Sequence, residues 1–102
     1  MFTITEYTVE RMDDPFNILQ GNRYEFILQI SVDEEDELYT EKGVYLRVIF
    51  TIDGILKKIS QYTFHENSTN RYLEFELEEV EEKEVLHFCL THYNQTDEEE
   101  VE

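Results

Sequence analysis

Hydrophobic and polar residues alternate most regularly in the middle of the chain. Every second residue from Val44 to Ile52 is apolar, the period of a β-strand with one buried face. Asp53-Gly54 follows and is a favoured two-residue sequence for a type I′ hairpin turn. The pattern therefore predicts that residues 55–64 return as a partner strand.

The same alternation predicts three more strands. Residues 23–32 place apolar side chains on one face, and residues 72–77 do the same. In residues 2–11 the apolar positions change parity near Thr5-Glu6, which predicts a β-bulge. Residues 14–21 fit either a short helix that begins with Asp-Pro and ends at glycine or a structured loop. Residues 33–43 favour a polar connection with one helical turn.

From Glu78 onward the period becomes helical. Five apolar positions recur at spacings of three and four, which predicts a helix with one apolar stripe, formed by Val85, Leu86, Cys89, Leu90 and Tyr93. Together these elements predict an α+β domain over residues 1–96, an antiparallel sheet of about five strands with one C-terminal helix packed on one face. Residues 97–102 are predicted to be an acidic disordered tail.

The chain is strongly acidic. Twenty-five acidic and eight basic residues give a net charge of −17. This charge disfavours direct binding to nucleic acid or to anionic membranes. A solvated acidic surface is the favoured interpretation, with a contact surface for a basic partner as the alternative. The candidate residues for such a contact are the run Asp33, Glu34, Glu35, Asp36 and Glu37.

Composition also indicates the compartment. The single cysteine, Cys89, excludes an intrachain disulfide. The longest apolar run is far shorter than the roughly twenty residues of a membrane span. No basic region followed by an apolar stretch marks the N-terminus as a secretory signal. We expect a cytoplasmic protein.

No motif in the sequence supports catalysis or a cofactor. A nucleophile elbow, a glycine-rich phosphate loop, a C-x-x-C pair and an H-E-x-x-H helix are all lacking. His87, Cys89 and His92 are close in sequence, but His87 and Cys89 fall roughly 200° apart on a helix, the wrong geometry for one metal. The acidic run lacks the glycine and spacing of an EF-hand loop. We therefore expect no enzyme, no cofactor and no metal site.

A second candidate surface comes from the face of the sheet turned away from the core. Four partly apolar positions are predicted there, namely Ile27, Tyr45, Ile49 and Tyr62. They are either ordinary cross-strand neighbours or the contact surface of a homodimer or another protein partner.

Two stretches carry a resemblance to known proteins. The segments DPFNILQGNRYEF and DEEDELYTEKGVYLRVIF are similar to those of small acidic proteins of unknown function from Bacillus-type bacteria. The resemblance covers most of the chain before the last helix and implies a bacterial cytosolic protein. It implies no active residues.

Two classes of function follow. The first is a non-catalytic protein-protein interaction or structural domain that self-associates or binds another protein. The second is an acidic decoy that mimics nucleic acid and occupies a basic protein. Self-association that tolerates salt favours the first, and binding that salt weakens strongly favours the second.

Overall fold

The computed structural model describes residues 2–12 and 21–94 and places them in two layers. Five antiparallel strands form one sheet in sequence order, and a single helix packs on one of its faces. The elements are β1 (Phe2–Met12), β2 (Asn22–Val32), β3 (Val44–Asp53), β4 (Leu56–Glu66), β5 (Tyr72–Leu73) and α1 (Glu79–His92). The predicted α+β fold is confirmed.

The predicted short helix or loop before Gly21 and the predicted tail 97–102 lie outside the described residues. The connection 33–43 contains hydrogen-bonded turns in place of the predicted helical turn. The Asp36 N–H donates to Asp33 O, and the Tyr39 N–H donates to Asp36 O, each at 3.0 Å. Leu38 is buried in this segment and fixes it to the core.

The core lies between the sheet and the helix. Phe26 and Leu28 of β2 are opposite Val48 and Leu46 of β3, and all four side chains are fully buried. Because alternate residues of a strand share a face, the regular alternation of these two strands places their largest apolar side chains in one layer. Val85 and Cys89, one turn apart, are the buried residues of α1 that cover it.

The helix stripe differs from the prediction at one side. Leu86 and Tyr93 pack against the core as predicted, and Phe88 also does so. Leu90 is 37% exposed instead. At 3.6 residues per turn, Leu90 lies about 100° around the helix from Cys89, beyond the contact with the sheet, whereas Phe88 lies equally far on the side that meets β1 and β2.

Two irregularities interrupt the outer strand pairs. In β1 the register shifts at Thr5, which confirms the predicted bulge and brings Phe2, Ile4, Tyr7 and Val9 to the core face. In β4 the register shifts at Ser60, because Ile49 is opposite Gln61 whereas Phe50 is opposite Ile59. The Ser60 hydroxyl is hydrogen-bonded to the hydroxyl of Thr51.

The Ser60 bulge overturns the predicted facing of Tyr62. One extra residue reverses the side-chain parity of every residue beyond it. Tyr62 is therefore opposite Val48 and lies on the core face, where its hydroxyl accepts a hydrogen bond from the Leu77 N–H at 2.9 Å. The prediction that Tyr62 lies on the outer face is wrong.

The hairpin turn is also displaced by one residue. Asp53 is paired with Leu56, so the two turn residues are Gly54 and Ile55. Only Gly54 has a positive φ, of 62°. Because a two-residue turn of type II′ requires a positive φ at its first position alone, the turn accepts isoleucine at its second position. The predicted Asp53-Gly54 turn is wrong, because Asp53 is still paired within the hairpin and the turn begins at Gly54.

The last strand is shorter than predicted. β5 ends at Leu73 because the Phe75 N–H donates to the Leu73 carbonyl at 3.0 Å, which turns the chain out of the sheet. The chain then crosses to the core side, where Leu77 is buried. At the start of α1 the Glu81 carboxylate accepts the Glu78 N–H at 2.9 Å, one half of a capping box.

The facing of Tyr62 leads to a first prediction. Tyr62→Phe removes the acceptor of the Leu77 N–H and leaves a donor unsatisfied next to the core, so we expect a loss of about 1–3 kcal/mol in the free energy of unfolding. Tyr45→Phe is the matched control, since the Tyr45 hydroxyl donates to Asn70 at the exposed surface, and it should cost less than about 0.5 kcal/mol. Urea denaturation followed by circular dichroism measures both. Equal midpoints for Tyr62→Phe and the unaltered chain would contradict the assignment.

Candidate functional site

Three of the four predicted outer-face residues lie where they were expected. Ile27, Tyr45 and Ile49 are on the sheet face opposite the helix, and Tyr62 is on the other face. Ile27 and Tyr45 are half-buried, and Ile49 is only 6% exposed. These side chains therefore offer little apolar surface for a partner to bury.

A cross-strand ion pair divides this face. Arg47 is opposite Ile27, and Glu25 is opposite Ile49. The Arg47 Nε atom lies 2.5 Å from the Glu25 Oε2 atom, so the ion pair runs diagonally between the two isoleucines. The outer face is consequently a mixed surface and not a continuous apolar patch.

An aromatic row crosses β3, β4 and β5 at one end of the outer face. Tyr45 stacks on His65, with ring centroids 5.1 Å apart, and His65 contacts Tyr72 edge to face at 6.1 Å. The Tyr45 hydroxyl donates to Asn70 Oδ1 at 2.9 Å, and Asn70 has a positive φ of 58°. The row thus fixes the turn between β4 and β5 against the sheet.

The acidic run 33–37 is exposed at all five side chains, Asp33, Glu34, Glu35, Asp36 and Glu37. One residue of the run has a local structural role, since Asp36 Oδ1 accepts the Leu38 N–H at 3.0 Å. Asp36 also joins a second acidic stretch, distant in sequence, around one cleft of about 160 Å³.

This cleft, the carboxylate-rimmed cleft, lies at the end of the sheet where β2 finishes. Its rim carries Asp36, Glu76, Glu78 and Glu81, and its floor is formed by the apolar side chains of Phe2, Val32, Leu38, Phe64 and Phe75. Within residues 2–12 and 21–94, no group of three or more histidine, cysteine or acidic side chains has the geometry to hold a metal ion. The exposed lining of the cleft is mainly polar. The cleft therefore offers a few half-buried apolar side chains, Phe2, Val32 and Phe75, bordered by negative charge.

A buried carboxylate holds the loops next to this end together. Glu66 Oε2 accepts the Thr40 hydroxyl at 2.6 Å, and Glu66 Oε1 accepts the Thr69 hydroxyl at 2.7 Å. These two hydrogen bonds, with the nearby charge of Arg71, hold the pKa of the Glu66 carboxyl below its ordinary value of 4.5. Glu66 thereby links the 33–43 connection to the turn after β4. The alternation of apolar residues did not identify Glu66, because it is a charged residue at a position of β4 that faces the core.

The opposite end of the sheet carries Ile55, the most exposed large apolar side chain among the residues that the structure describes. The tip of the β3–β4 hairpin, hereafter the hairpin tip, comprises residues 54–58. Ile55 is fully exposed and Leu56 is 53% exposed. Lys57 and Lys58 follow and are also exposed, with the Lys57 Nζ atom 5.7 Å from the centre of the Tyr93 ring. The sequence prediction missed this feature because it placed the turn one residue earlier; two aliphatic residues beside a turn glycine were the available signal.

The cysteine and the histidines of α1 do not form a site. Cys89 is fully buried, whereas His87 is exposed. His92 stacks on Phe88 at 4.1 Å and contacts Tyr7 at 4.9 Å. Burial raises the pKa of the Cys89 thiol to about 12, so the thiol stays protonated at neutral pH.

Glu66 provides a pH-dependent prediction. Because its pKa is lower in the folded chain than its ordinary value, its ionised form stabilises the fold above about pH 4.5, and this contribution is lost as the pH falls through the lowered folded pKa. We expect Glu66→Gln to lower the urea midpoint at pH 7 and to lower it much less at pH 3. Glu37→Gln, in the exposed run, is the control and should change neither midpoint. An equal effect of Glu66→Gln at both pH values would contradict the prediction.

Cys89 provides a chemical prediction. Only the thiolate is alkylated rapidly, and both burial and the raised pKa suppress it. We expect iodoacetamide at pH 8 to modify Cys89 at least about a hundredfold more slowly in the folded chain than in urea. Thr91→Cys combined with Cys89→Ser places a thiol on the exposed side of the same helix and should react readily in both states. A similar rate for Cys89 in both states would show an accessible thiol.

Comparisons with known proteins complete the description of the site. No described helix is long and apolar enough to cross a membrane. Comparisons with curated proteins and with solved structures find no match. A family described as "Family of unknown function (DUF6509)" matches residues 2–96, in keeping with the resemblance to uncharacterised proteins. The chain belongs to this family of unknown function.

Proposed function

We propose that the chain is a non-catalytic protein-binding domain of the bacterial cytoplasm and that the hairpin tip makes the contact. One observation carries the proposal. Ile55 is fully exposed and Leu56 is 53% exposed at the turn between β3, which has ten residues, and β4, which has eleven. Protein contacts centre on exposed apolar side chains that a partner can bury.

The fold itself does not require these two side chains. The turn needs its positive φ only at Gly54, and a polar residue would serve equally at the next position. Ile55 has no place in the core cluster, and neither has Leu56. Their exposure therefore contributes nothing to folding and lowers solubility, which supports a role in binding.

The residues after the turn indicate the chemistry of the partner. Lys57 and Lys58 are exposed in a region of the chain, residues 43–72, that carries a net charge of +2. An apolar pocket bordered by carboxylates would bury the aliphatic side chains and pair with the ammonium groups. Complete burial of each aliphatic side chain would supply about 1.5–3 kcal/mol before the costs of association.

The absence of catalysis is part of the proposal and has specific support. Cys89, the one strongly nucleophilic side chain in the sequence, is buried and protonated, and a thiol acts as a nucleophile only when it is ionised.

A second candidate function, the acidic decoy, is supported by a different observation. Asp36 of the run 33–37 and Glu76, Glu78 and Glu81 border the same cleft although they are distant in sequence. The fold thus concentrates negative charge at one end, as the occupation of a basic protein would require.

Capture of partners from a lysate of the source organism tests the proposal, with the unaltered chain and two variants as bait. Ile55→Asp places a charge on the hairpin tip. Val80→Asp is the matched control, because Val80 is also exposed (58%) but lies on the helix. We expect a stoichiometric protein that the unaltered chain and Val80→Asp retain and that Ile55→Asp binds at least tenfold more weakly, equivalent to about 1.4 kcal/mol.

Elution in rising salt separates the two candidates. Contact through apolar side chains at the hairpin tip should persist at high salt, whereas a decoy complex should dissociate at modest salt. Retention of the same partner by Ile55→Asp would overturn the role of the tip.

A further inference from the structure

We infer that the hairpin tip of one copy of this chain binds in the carboxylate-rimmed cleft of a second copy, so that the molecules associate head to tail. This inference rests on the proposed function and names the partner. The cleft of the chain itself has the two features that a partner of the hairpin tip requires, an apolar floor and a rim of carboxylates.

The two surfaces are complementary in charge, and each has an apolar part. Ile55 and Leu56 are exposed at the tip, and the half-buried rings of Phe2 and Phe75 contribute to the floor of the cleft. The lysines after the turn can pair with carboxylates of the rim, because Glu76 is exposed there. Charge complementarity of this kind orients a contact and raises its rate of formation.

The positions of the surfaces exclude closure within one molecule. Asn22, at the start of β2, is opposite Ile52 and therefore lies next to the turn, whereas Val32, at the end of β2, lines the cleft. The eleven residues of β2 span about 35 Å at 3.3–3.4 Å per residue. A tip cannot reach the cleft of its own chain, so it can enter only the cleft of another.

This geometry determines the kind of assembly. The surfaces in contact differ, so the interface is heterologous, and a heterologous contact either closes into a ring or continues as an open chain of molecules. After one contact forms, a free tip and a free cleft remain, unless the two molecules lie antiparallel and make the same contact twice.

The net charge of the chain determines the salt concentration at which two copies can associate. Two copies at −17 each repel at low salt, but at physiological ionic strength the Debye length is about 8 Å and most of this repulsion is screened. Two aliphatic anchors form a small contact. The association should therefore depend on concentration and be visible in the high micromolar range at about 0.15 M salt.

Sedimentation velocity at several concentrations tests the inference. We expect the weight-average mass of the unaltered chain to rise with concentration above 12.4 kDa, to twice this value if two molecules close as an antiparallel pair and beyond it if the contacts continue. Ile55→Asp, which blocks the tip, and Glu76→Lys, which reverses a rim charge, should each weaken association at least tenfold. Glu82→Lys makes the same change of charge on α1 outside the cleft and should associate like the unaltered chain. All three positions are exposed, and a thermal melt confirms that each variant folds.

An equimolar mixture of the two blocked variants gives the sharpest readout. Ile55→Asp retains a cleft and Glu76→Lys retains a tip, so the mixture should form a 1:1 dimer and nothing larger. A monomeric unaltered chain at all concentrations would overturn this inference, as would association that neither variant weakens. The first of these results leaves the proposed function to the capture experiment, in which another protein with an acid-bordered apolar pocket would be the partner.

Discussion

The pairing of β2 with β3 is the constraint on which the other contacts depend. It runs from Asn22 opposite Ile52 to Ile30 opposite Val44 without a shift in register, whereas the pairs on either side each contain one. An unshifted antiparallel pair keeps alternate side chains strictly on one face. The helix, the 33–43 connection and the crossing after β5 all pack against the apolar layer that results, through Val85, Leu38 and Leu77. The flanking strands β1 and β4 each contain an extra residue, while the central pair keeps one register along its whole length.

The sequence allowed prediction of whatever depends on local periodicity. Alternation identified both central strands and their buried faces, and spacings of three and four identified α1 and its buried Val85 and Cys89. The facing of Tyr62 could not be predicted in the same way. It depends on whether one residue of β4 is unpaired, and the hydrogen bond of Ser60 with Thr51 that accompanies the bulge joins residues on different strands. The available signal was the change of parity of the apolar positions between Ile59 and Tyr62, the same kind of change that indicated the bulge in β1.

The candidate surfaces, too, could be predicted from the sequence only in part. The acidic runs were evident from composition, but their meeting around one cleft depends on the crossing after Leu73 and on the burial of Leu38. The outer-face residues were placed correctly at Ile27, Tyr45 and Ile49. Their low exposure was not foreseen, and the Glu25–Arg47 ion pair that separates two of them could be recognised only from the cross-strand register. The hairpin tip was missed because a one-residue displacement of the turn decides which side chain points into solvent.

The two bulges also lie at open borders of the sheet, one in β1 and one in the part of β4 that β5 does not cover. Thr5 interrupts β1, and Ser60 interrupts the part of β4 that extends beyond its pairing with β5 at Phe64 and His65. A bulge bends a strand and breaks the even spacing of its free backbone groups, which makes it a poor template for a further strand. Glu6 and Glu10 add charge to one border, and Lys57 and Lys58 add it to the other. These features disfavour the edge-to-edge stacking that leads to amyloid-like fibrils, although β1 and β4 are each eleven residues long and carry alternating apolar side chains.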